Sequence, residues 1–102
     1  MEYIAVTFIV RREADYYVSE CLELGTATFG LGQEEALENL TDATEVYLET
    51  LEDLGECHRV LEDRGVRIYP YKPADLEVGR GTRFPVTSVV YPTVMPLQGA
   101  SV

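Results

Sequence analysis

The residues of this chain best placed to do chemistry are its carboxylates. Asp plus Glu number 18 against 8 Lys plus Arg, a formal net charge of −10. Acids brought together from different elements can hold paired divalent ions about 4 Å apart and hydrolyse nucleic acid. Glu20 and Asp42, on different elements, are the pair that would have to meet for such a site. No basic groove accompanies them: from Glu13 to Glu56 the chain carries 13 acidic residues and neither Lys nor Arg. That balance disfavours nucleic-acid phosphates and anionic membrane surfaces alike, and suits a basic partner. The expectation is no catalytic residue, no bound metal and no cofactor.

The other reactive side chains are few. Cys21 and Cys57 are the only cysteines and His58 the only histidine. Adjacent Cys57 and His58 point apart, and the spaced pairs of a zinc site are missing, so two free thiols in a reducing compartment and a surface histidine are expected. Gly30 and Gly32 precede a helix as a phosphate loop would. They lack the third glycine and the lysine, and Glu34 and Glu35 stand where phosphate would sit.

One pattern remains. Glu38, Asp42, Glu45, Glu49 and Glu52 recur at spacings of three and four, which lines them up along about four turns of a helix. A solvated helix face ordinarily interleaves Lys with Glu for i,i+4 pairing, and like charges at that spacing cost stability. An uninterrupted acidic ridge is therefore the candidate partner-binding surface, one that steers a cationic protein by charge complementarity.

The elements that position these residues can be read from periodicity. Tyr3 to Val10 alternates, with Ile4, Val6, Phe8 and Val10 on one face, and predicts a strand. Tyr16 to Leu24 predicts its hairpin partner, and Thr26 to Phe29 a short third strand. Gln33 to Leu54 is an amphipathic helix in which Leu37, Leu40, Thr44, Tyr47, Leu48, Leu51 and Leu54 share one side; Gly55 stops it. A short helix over Cys57 to Arg64 and a fourth strand over Val66 to Tyr69 follow. Pro70 to Gly81 reads as a loop and Arg83 to Met95 as an extended segment. Pro85 and Pro92 bar that segment from the middle of a sheet, so it is an edge strand or an arm. Residues 1–69 thus form an acidic α+β body and residues 70–102 a proline-containing extension, within one domain. The expected architecture is a small, largely antiparallel sheet with one long helix on one face.

Two stretches carry a resemblance. Asp15-Tyr16-Tyr17-Val18-Ser19-Glu20-Cys21-Leu22-Glu23-Leu24, followed by Glu34-Glu35-Ala36-Leu37-Glu38-Asn39-Leu40 and Glu45-Val46-Tyr47-Leu48-Glu49, resembles the HicB-like antitoxins over about residues 3 to 54. The resemblance implies a partial RNase H-like fold without a working nuclease site. It also implies a non-catalytic role: covering a small basic, HicA-like, RNA-cleaving toxin in the cytoplasm. The first turn reads Glu13-Ala14-Asp15 and the helix start Gly30-Leu31-Gly32, where the family favours Gly after the Asp and Thr or Ser. Residues 70 to 102 show no basic recognition helix, so DNA binding is not carried over. Homo-oligomerisation through strand edges is also expected. A remnant metal-dependent nuclease and a solitary oligomeric domain are the alternatives.

Overall fold

A computed structural model describes residues 1–74 and 88–97 of the chain. The elements run β1 (Tyr3–Glu13), β2 (Tyr16–Cys21), β3 (Ala27–Gly30), α1 (Gln33–Asp53), α2 (Cys57–Asp63), β4 (Ile68–Tyr69) and β5 (Val89–Pro96). The expected α+β architecture is present: a five-stranded antiparallel sheet with a long helix and a short one. Residues 75–81 of the predicted loop, and Arg83 to Thr87 of the predicted extended segment, lie outside the described residues.

β1 is the axis of the sheet. It pairs with β2 over Phe8–Glu13, with β4 at Tyr3 and Ile4, and with β5 over Tyr3–Val10. Since β5 fills one edge along that whole length, β2 and β4 share the other, end to end. Val6 through Val10 are all buried, so β1 is covered on both faces over this stretch. Its even-numbered face, Ile4, Val6 and Phe8, meets Leu40 and Leu48 of α1, Leu61 of α2, and Met95 and Leu97 from the β5 end. Each of these large apolar side chains contributes roughly 2–3 kcal/mol by leaving water.

The prolines of β5 sit where they cost the sheet nothing. Thr7 turns its N–H to the Glu23 carboxylate and its C=O to the Leu22 N–H, both on the β2 side. Its partner across the other edge is Pro92, and Pro96 lies opposite Tyr3, four residues on in the same register. Both proline nitrogens therefore face away from β1, where no ladder bond is required. The segment is an edge strand of its own sheet.

The helices close alike. Gly55 and Gly65, at φ 70° and 71°, donate to the Glu52 and Glu62 carbonyls, while the following residues, Glu56 and Val66, donate to Leu51 and Leu61. These paired bonds need a left-handed residue that glycine adopts without steric penalty. Among the described residues, no helix is long and apolar enough to cross a membrane.

Candidate functional site

α1 presents its faces as its spacing dictates. Ala36, Leu40, Thr44 and Leu48 are buried against the sheet, and Glu38, Asp42, Glu45 and Glu49 are exposed. Glu52, the fifth acid of the ridge, is half-buried. With Glu45, Leu48, Glu49 and Pro96 it lines a shallow hollow where α1 passes the end of β5. The ridge thus runs along the solvent side of α1 and comes up against the sheet only at its later turns, beside Pro96.

Polar contacts fix the helix on the sheet. The buried Ser19 hydroxyl of β2 donates to the Ala36 carbonyl at 2.7 Å, and Thr26 and Thr44 share a hydroxyl hydrogen bond of 2.9 Å. Asn39 reaches the edge of β3 and donates to the Phe29 carbonyl at 2.8 Å. Gly30 is where the backbones come closest. A Cβ there would lie 2.5 Å from the Ala36 nitrogen, so glycine at this position serves the strand–helix approach rather than a phosphate. Gly32 starts α1 with no side-chain cap.

Ion pairing bypasses the ridge. Arg11 pairs with Glu13 and Glu20, Arg59 with Glu56 and Asp63, and His58 with Glu2. Among the described residues, none of these three side chains reaches Glu38, Asp42, Glu45 or Glu49. The last turn of α1 holds no basic residue, so Glu49, Glu52 and Asp53 oppose the helix dipole.

The remaining candidates separate in space. Glu20 pairs with Ile9 on the face of the sheet turned away from α1, whereas Asp42 lies on α1, so the two do not converge. Among the described residues, no group of three or more His, Cys, Asp or Glu is arranged to hold a metal ion. Cys21 and Cys57 are both buried free thiols. Burial pushes the Cys21 thiol up to about 11, with the nearby Glu23 charge adding to the rise. Burial, then the charges of Glu52 and Glu2, also raises Cys57. Both are held as neutral thiols at pH 7, unlike reactive cysteines. His58 is exposed, with Nε2 2.9 Å from the Glu2 carboxylate.

Two features carried little or no local signal. Glu23 plugs the step between β2 and β4: its carboxylate accepts the Thr7 N–H at 2.8 Å and the Thr7 hydroxyl at 2.9 Å, 16 residues away in the chain. At the opposite margin Tyr16, Phe29 and Leu31 are exposed apolar residues around the free edge of β3. Two apolar residues flanking Gly30 were their only trace in the sequence. Compared with family models, curated proteins and solved structures, the chain matches none.

Proposed function

We propose that this chain is a non-catalytic docking protein of the HicB-like antitoxin kind, which binds a small basic RNA-cleaving toxin and covers its active surface. The observation that carries the reading is the ridge of Glu38, Asp42, Glu45 and Glu49, exposed and without a cationic partner among the described residues. Like charges one turn apart destabilise a helix by some tenths of a kcal/mol each. A cationic partner removes that repulsion and gains a steered approach. Three strands, a long helix and a further strand are also the order that the resemblance implies. The two buried, unlinked thiols agree with a cytoplasmic setting. Partner capture, together with assembly of the chain into oligomers, belongs to the same proposal.

Growth provides the test. The short basic chain encoded beside this one, expressed alone, is expected to arrest growth and degrade RNA; co-expression of this chain restores growth and the two co-purify. No rescue, or no basic neighbour, contradicts the reading.

A further inference from the structure

We infer that the free edge of β3 is a strand-addition site that receives an extended, cation-bearing segment of the partner. This rests on the docking reading above and names the form in which the partner attaches. β3 pairs with β2 alone. The Cys21 N–H bonds to the Thr26 carbonyl at 2.8 Å, so Thr26, Thr28 and Gly30 turn their backbone groups toward β2, and Ala27 and Phe29 turn theirs outward. Of the outward groups, the Phe29 carbonyl is taken by Asn39, and just beyond the strand the Leu31 N–H lies 3.4 Å from the Glu35 carboxylate. The Ala27 N–H and C=O and the Phe29 N–H have no partner among the described residues. They form the hydrogen-bonding row of an unfinished sheet, and an extended backbone completes it.

The two sides of this edge differ chemically. On the face away from α1, Phe29 is 63% exposed and meets Tyr16 edge to face, with ring centroids 6.0 Å apart; Leu31, 75% exposed, lies just beyond. On the α1 side, the Asn39 bond fixes the helix against the edge, and Glu35 and Asp42 lie about one turn to either side of Asn39. A strand laid here meets apolar surface with one set of alternate side chains and carboxylates with the other. Its matching sequence alternates apolar residues with Lys or Arg. A second copy of this chain would instead set Glu35 and Asp42 against their own kind, between molecules of charge −10 each.

The probe is a capped seven-residue peptide of alternating lysine and valine, titrated into the full chain and followed by amide exchange and chemical shifts. Saturation is expected to slow exchange of the Ala27 and Phe29 N–H at least tenfold. Methylating the peptide's edge-facing nitrogens is expected to weaken binding at least tenfold, with the protein unchanged. Ala27→Pro removes an outward N–H that no ladder bond uses, and is expected to weaken binding similarly. The inference is overturned if the methylated peptide binds equally well, or if shifts appear on the α1 ridge while Ala27 and Phe29 stay unmoved. It is also overturned if the same protection appears without peptide as the mass doubles, which would make the occupant a second copy. If reversing the ridge charges abolishes binding and Ala27→Pro does not, the docking reading stands and the strand-addition site falls.

Discussion

Replacing Gly30 with alanine tests the closest approach in the fold. The added Cβ would lie 2.5 Å from the Ala36 nitrogen, 2.9 Å from the Glu35 carbonyl carbon and 3.0 Å from the Ala36 Cα. All three are backbone atoms in the first turn of α1, so no side chain can swing aside. Reaching ordinary contact at about 3.4 Å moves the helix start by about 0.9 Å. A displacement of that size along the contact takes the 2.7 Å bond from the Ser19 hydroxyl to the Ala36 carbonyl beyond hydrogen-bonding range. Overpacking costs about 1–3 kcal/mol, and losing the short bond leaves the Ser19 hydroxyl with only its longer 3.4 Å bond to the Thr28 carbonyl, at a further cost of about 1 kcal/mol. The expected loss is about 3 kcal/mol for Gly30→Ala. With a urea slope of about 1.5 kcal/mol/M for a domain of this size, the midpoint falls by about 2 M. Gly32→Ser is the control: a Cβ there meets nothing within 4 Å, and a serine hydroxyl supplies the missing cap, so the midpoint stays or rises slightly. If Gly30→Ala unfolds within about 0.5 kcal/mol of the parent, the close approach is not a constraint and the argument fails.

Three further outcomes are expected. Ala14, in the two-residue turn between β1 and β2, has φ 50°; Ala14→Gly is expected to raise stability by some tenths to about 1 kcal/mol in urea melts, and a loss would show that the turn is not strained. Glu49→Lys places a cation four residues after Glu45 and near the negative end of α1, and is expected to raise the thermal midpoint by about 2–5 °C at low salt, an effect that strong salt erases. The Cys21 thiol is raised to about 11 in the folded chain from a reference value of 9.0. Its contribution to stability is therefore complete below pH 9 and is lost as pH rises toward 11. About 3 kcal/mol is the ceiling of that loss, and Cys21→Ala is expected to flatten the alkaline decline measured by denaturant titration.

Most of the scaffold was legible because burial imposed a period on neighbouring residues. Leu40, Thr44 and Leu48 mark the face of α1 that meets the sheet, and Gly55 marks its end. Ile4, Val6 and Phe8 mark the covered face of β1, but Thr7 and Ile9 on the other side are buried too. Alternation alone did not reveal that double burial. Nor did it show that β1 continues through Arg11, Arg12 and Glu13. These polar residues fall between the two strands that the sequence predicts, yet they pair with Val18, Tyr17 and Tyr16 in the projecting hairpin, where the backbone ladder governs. Pro92 excluded a central strand but left an edge strand and an arm both open; the pairing with β1 makes the segment an edge strand. Its partner β1, paired residue for residue from 79 to 93 positions away in the chain, left no local trace.

The acidic ridge was legible as a helical repeat, and four of its five carboxylates are exposed as that repeat requires. What escaped the sequence were contacts between distant segments. Glu23 bonded to Thr7, Asn39 bonded to Phe29, and Ser19 bonded to Ala36 are each 10 or more residues apart. Polar residues in such roles look like ordinary surface until the chain is folded. Separation of Glu20 from Asp42 followed only from the strand register, which turns Glu20 away from the helix.

Charge reversal on α1 tests the central claim most directly. The association rate of the chain with its basic partner, measured by stopped flow from low to high ionic strength, is compared between the parent and a variant carrying Glu38→Lys, Asp42→Lys and Glu45→Lys. Loss of electrostatic steering predicts a rate at least tenfold lower at low salt and a much flatter salt dependence. Unchanged rates and an unchanged salt slope in a folded variant would contradict the claim that the ridge receives the partner.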